Sequence, residues 1–104
     1  MWYNSLMNII TSKSNNGIKK VKKLHQKKYR NNSYLIEGWH LYEEAINHQA
    51  PIEQVFVLEE FVDKIKKDTK VTIVSPEVLA EIADSKSPQG IVAEIKIQPI
   101  QHLQ

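Results

Sequence analysis

Cysteine is absent from all 104 residues of this chain, so neither a disulfide framework nor a thiolate metal site is available. Glycine occurs three times, at Gly17, Gly38 and Gly90, each isolated. No phosphate-cradling glycine-rich loop and no GxSxG turn is therefore encoded. No apolar run approaches the roughly 20 residues of a membrane span. The opening MWYNSLMNII is apolar but broken by Asn and Ser, without the basic leader or the small-residue cleavage signal of a secretory peptide. His25, His40, His48 and His102 are scattered, and the Glu43-Glu44 pair falls on a solvated helix face, so no metal site is expected. The most informative absence is of acid: none precedes Glu37.

What is present divides at that point. Residues 1–36 hold seven lysines and Arg30 with no acid, a charge of +8, while residues 37–104 hold 12 acids against 6 lysines, a charge of −6; together these give the net +2. A chain polarised in this way presents a basic end to a polyanion and keeps an ordinary acidic body. The length suits one small domain with a modest core. The missing cysteine agrees with a cytoplasmic setting, which is the expected location.

Hydrophobic spacing predicts a helix from Asn15 or Asn16 to about Lys28, with asparagine as its cap. Ile18, Val21, Leu24 and His25 fall on one side; Lys19, Lys20, Lys22, Lys23 and Lys27 fall on the other. A polar turn at Asn31-Asn32-Ser33 ends it. Tyr34-Leu35-Ile36 suits a buried strand. Gly38 opens a second helix whose inner face is Leu41, Tyr42, Ala45 and Ile46, with Trp39 at the edge and partly buried. Val55 to Leu58 and Val71 to Ser75 are further strands, with a short helix at Phe61, Val62 and Ile65 between them. Ser75, Pro76 and Glu77 punctuate a helix start. Gln89-Gly90 turns into a last strand, with Ile91, Ala93, Ile95 and Ile97 on one face. Strands and helices in alternation predict an α/β fold, a layered sandwich around a small, mostly parallel sheet.

The basic helix carries the functional signal. Lysines on a helix are often only a solvated face, but such faces mix both signs, and this one has no acid. Long flexible cations along one face suit phosphate better than base edges, so the reading is nucleic-acid contact through the backbone. A membrane-surface role is disfavoured because the helix's apolar side serves the core and lacks Trp or Phe anchors. Tyr29 is a candidate stacking platform for an unstacked base, Tyr34 a weaker one. Glu37, just ahead of a helix, is read as a capping or dipole partner.

Three stretches, ITSKSNNGIKKVKKLHQKKYR, YLIEGWHLYEEAI and VSPEVLAEIADSKSPQGIVAEI, resemble in order the amino-terminal substrate-binding domain of SpoU (TrmH-type) RNA methyltransferases. The pieces are the basic helix ending in Lys28-x-Arg30, the Glu37-Gly38 that opens a helix, and Ser87 to Ala93; the likeness spans Ile10 to Ile97. It implies a three-layer α/β/α sandwich similar to kink-turn-binding ribosomal proteins. It also implies RNA contact at Lys19, Lys28 and Arg30, whereas Lys20, Lys22, Lys23 and Lys27 rest on charge geometry alone. The family pairs this domain with a separate knotted domain that binds S-adenosylmethionine and methylates a ribose 2′-hydroxyl. No cofactor, catalytic residue or metal is thus expected here.

On this resemblance residues 10–98 are the RNA-binding domain and 99–104 begin a linker to a catalytic domain. Residues 1–9 are an extension or an expression leftover, since Met7 offers a second start. The expected partner is RNA, ribosomal in particular, with no membrane; the isolated domain is a monomer and the parent enzyme a homodimer. Two departures stand out. Asn16 replaces a frequent proline, and the stretch from Arg30 to Tyr34 is short and lacks glycine. The rival reading is a stand-alone RNA-binding protein of ribosomal type with no enzymatic partner. A plainer one is a protein-interaction module kept soluble by its lysines.

Overall fold

Asparagine opens the first helix as its side chain allows. In the computed structural model, which describes residues 9–26, 28, 32–66, 69–83 and 89–97, Asn15 Oδ1 accepts the backbone N–H of Gly17 at 2.8 Å and of Ile18 at 3.2 Å. Helix α1 runs over Asn16–Lys22 and tightens into a 3₁₀ turn at Lys23–His25. Gln26 is already extended, so the α-helix is shorter than the expected span to Lys28. Lys19 and Lys23 are like charges one turn apart, which weakens a continued helix. The tighter turn also brings the His25 ring to the carbonyl of Ile82, to which Nε2–H donates.

The other elements follow the predicted order. Strand β1 is Ser33–Glu37, helix α2 Trp39–Asn47 and strand β2 Ile52–Val57. A 3₁₀ helix at Glu59–Lys64 precedes β3 (Val71–Ile73), α3 (Pro76–Ile82) and β4 (Ile91–Lys96). The N-cap position of α2 is Gly38, and Glu37 ends β1 one residue ahead of it. Helix α3 starts as its sequence dictates, with Pro76 in the first turn and Val78 N–H donating to Ser75 Oγ at 3.2 Å. Ser75→Ala should lower stability by about 1 kcal/mol, seen as a lower urea midpoint with an unchanged slope.

The sheet corrects one expectation. Its order is β1-β4-β2-β3, with β1–β4 and β4–β2 antiparallel and only β2–β3 parallel. Strands β1, β2 and β3 do run in one direction, as helix crossovers require. The sheet is nonetheless mostly antiparallel because β4 inserts between β1 and β2 against both. Its residues explain the placement: Ile91, Val92, Ala93 and Ile95 are all buried, so β4 is apolar on both faces and belongs in the centre. Ile10 adds a parallel bridge to Val74 that covers the β3 edge.

Two cores flank the sheet and make the three layers. On one face Ile18 and Val21 of α1 and Val78, Leu79 and Ile82 of α3 pack on Phe56, Val74 and Val92. On the other Tyr42 of α2 packs on Val55, Val57, Ile91, Ala93 and Ile95. Tyr42 is buried with its hydroxyl satisfied by the N–H of Lys66 at 2.9 Å. Leu41, expected on the inner face, lies on the flank of α2 and is 44% exposed. Trp39 is half-buried as expected, edge-on to Tyr42 and Phe61 with both centroids 5.7 Å away.

Candidate nucleic-acid interface

Helix α1 and the residues that follow it are sorted by burial. Ile18 and Val21 are buried, Leu24 and His25 are half-buried, and Lys19, Lys20, Lys22, Lys23 and Lys28 are exposed. The apolar edge docks the helix and therefore fixes which way the lysines face. Lys27, Arg30 and the stacking candidate Tyr29 lie outside the described residues. Tyr34 is exposed, but it alternates with Ser33 and Leu35 and so sits on the α2 side of the sheet, away from the basic helix.

The exposed lysines are not equivalent. Lys22 forms an ion pair with Glu81 of α3, and Lys13 lies 3.9 Å from the other oxygen of that carboxylate. The Lys22 hydrogen bond and charge, with Lys13 adding a smaller attraction, hold the Glu81 carboxyl below the usual carboxylate range. Lys22 is thus turned toward α3 and ties the two helices of that layer. Among the described residues no carboxylate lies within ion-pair distance of Lys19 or Lys20, and both side chains are exposed.

A third group joins them from far along the chain. Lys96, at the end of β4, lines the same cleft as Lys20 and Lys23. Sequence reading missed it because 73 residues separate it from Lys23. The available signal was strand alternation, which puts Lys96 on the face of Val92, the face that α1 covers.

The Glu37-Gly38 and Gln89-Gly90 motifs meet at the opposite end of the sheet. Gly38 N–H donates to the carbonyl of Ile91 at 3.1 Å. Gly38 has φ +95°, and a Cβ there would lie 3.0 Å from Gln89 Oε1. These glycines build a tight joint between β1, α2 and β4. Among the described residues no group of three or more His, Cys, Asp or Glu could hold a metal ion, and no helix is long and apolar enough to cross a membrane.

Residues 15–93 match the model of the MRM3-like substrate binding domain. The chain belongs to that family. The match runs from the Asn15 cap to Ala93 in the first half of β4, so it takes in α1, strands β1 to β3 and the glycine joint. Among curated relatives it is 34% identical over 93 residues to the 23S rRNA (guanosine(2553)-2′-O)-methyltransferase RlmP of Bacillus subtilis, covering 84% of this chain and 37% of that protein. Among solved structures it superposes on an RNA 2′-O ribose methyltransferase with a TM-score of 0.77 and 25% identity, over 93% of this chain and 41% of that one. An rRNA methyltransferase from Sinorhizobium meliloti shares the fold, with a TM-score of 0.75 and 23% identity over 88% of this chain and 38% of that one. The domain spans about two fifths of the length of these relatives.

Proposed function

We propose that this domain binds RNA, ribosomal RNA in particular, on behalf of a ribose 2′-O-methyltransferase, and that α1 is its phosphate-facing surface. The observation that carries this is the group of exposed lysines Lys19, Lys20, Lys23 and Lys28, on and just after α1, in a domain whose family is defined by substrate binding. Lysines spread along a helix attract a phosphate backbone through counterion release without needing a shaped pocket. The ribosomal part of the reading draws support from the RlmP relative, whose name specifies 23S rRNA. The domain by itself is a monomer in this reading, and it positions RNA while methyl transfer belongs to a separate catalytic domain.

The test is a fluorescence-anisotropy titration against structured ribosomal RNA fragments and a plain duplex at about 50 and 200 mM salt. Binding is expected to weaken steeply between the two, and one rRNA fragment should bind tighter than the duplex. No binding at the lower salt would remove the RNA assignment and favour a protein-interaction module.

A further inference from the structure

The cleft beside α1 offers more than cations. Its floor is formed by Ser33 of β1, Gln54 of β2 and Glu94 of β4, and Thr72 of β3 is joined to them by a hydrogen bond. Ser33 Oγ–H donates to Glu94 Oε2 at 2.6 Å, and Gln54 Nε2–H donates to Glu94 Oε1 at 2.9 Å. Thr72 Oγ1–H in turn donates to Gln54 Oε1 at 3.3 Å. The hydrogen bonds run inward from both sides of the sheet and converge on the carboxylate of Glu94, holding it in one orientation.

Glu94 is half-buried and lines the cleft. A carboxylate offers about four lone-pair positions, and two of them are taken by Ser33 and Gln54. The remaining ones require donors. A neutral amide has one acceptor oxygen and could hold both neighbours only by donating to Ser33 Oγ, whereas the carboxylate accepts from both and keeps acceptor positions on each oxygen. The cleft, about 720 Å³ in volume, has three exposed cations in its lining, Lys20, Lys23 and Lys96, against one exposed acid, Glu53, so its rim is net positive. Cations outside and a fixed acceptor inside impose opposite demands: the rim attracts phosphate, while the floor repels it and takes only a group that donates hydrogen bonds.

We propose that this cleft receives one unpaired nucleotide of the bound RNA, its base on the Glu94 floor and its flanking phosphates at Lys20, Lys23 and Lys96, and that guanine is the favoured base. The proposal rests on the RNA-binding reading above and adds base choice to it. Guanine presents N1–H and N2–H side by side, a pair of donors that a carboxylate accepts in bidentate fashion. Adenine and cytosine offer one exocyclic amine on that edge, and uracil a single N–H. Only an unpaired base exposes this edge, which is how sequence is usually read in RNA.

The test uses the full chain and five-nucleotide uridine strands carrying guanosine, inosine, adenosine, cytidine or uridine at the centre. Affinity is followed by anisotropy and location by backbone-amide NMR shifts. The guanosine strand should bind roughly tenfold tighter than the all-uridine strand, with shifts at Ser33, Gln54 and Glu94. Inosine, which lacks the N2 amine, should fall between them. Glu94→Gln should bring the guanosine strand to the all-uridine value measured with the same variant, its fold verified by circular dichroism. The inosine strand probes the same contact with the protein untouched, so the outcome does not depend on the variant folding. Equal affinity for all five strands, a guanosine preference that survives Glu94→Gln, or no pentamer binding at all would overturn the proposal. If the structured fragments still bind in a salt-dependent way, the RNA-binding reading stands and only the base site falls.

Discussion

Gly90→Ala is expected to destabilise the fold by about 2–5 kcal/mol, the sum of two separate penalties. Gly90 has φ +93°, and a Cβ built there would lie 2.6 Å from Cε2 and 2.7 Å from Cδ2 of Phe61. The left-handed backbone accounts for about 1–2 kcal/mol. The overlap accounts for about 1–3 kcal/mol more, because a ring that moves away must disturb its packing on Trp39. Phe61 packs edge-on against Trp39 at 5.7 Å, and Lys64 Nζ sits 4.8 Å from the Trp39 ring and 5.4 Å from that of Phe61. The glycine backbone is held too, since its carbonyl accepts the N–H of Leu58 at 3.2 Å. Against a total stability of about 5–15 kcal/mol this is severe. Urea unfolding followed by circular dichroism measures it. Adding Phe61→Leu to Gly90→Ala should cost less than the two changes summed, because the overlap is relieved. A loss below about 1 kcal/mol would mean that the ring yields freely.

Reversing Lys19, Lys20 and Lys23 together to glutamate should lower RNA affinity roughly a hundredfold or more at low salt. The slope of log affinity against log salt should also fall by about 2–3, given 0.7–0.9 per phosphate contact. All three are exposed, and lysine and glutamate have similar helix propensity, so the fold should persist. The matched control is Lys64, Lys66 and Lys70 to glutamate, with the same change in net charge but placed outside the α1 surface. That variant should lose far less. An equal loss in both would show that only net charge attracts the RNA and that α1 has no special part.

Local chemistry was legible in the sequence where one short stretch determined it. The Asn15 cap, the Ser75-Pro76 start and the outward lysines of α1 all follow from side chains within a few residues of one another. The length of α1 did not, because its last turn is shaped by a carbonyl of α3 that the His25 ring reaches across the fold. Strand order escaped for a related reason. Alternating strands and helices suggest parallel neighbours, and only the two-sided apolarity of β4 hints that it lies between β1 and β2. The polar floor was invisible as a unit, since Ser33 and Glu94 stand 61 residues apart and no motif joins them. The candidates Lys27, Tyr29 and Arg30 fall outside the described residues.

The central place of β4 has a consequence for how the chain becomes a domain. The strand in the middle of the sheet is the last of the four to be synthesised. Until it arrives, β1 has no hydrogen-bonded neighbour and β2 has only β3. Pairing residues some 60 positions apart makes the topology non-local, and such folds form slowly because loop closure precedes the contacts that reward it. During that interval the segment up to Ile36 is already made, with its eight cations between Lys13 and Arg30 and without a sheet to dock on. The polypeptide therefore carries its affinity for polyanions before it has a shape with which to choose among them.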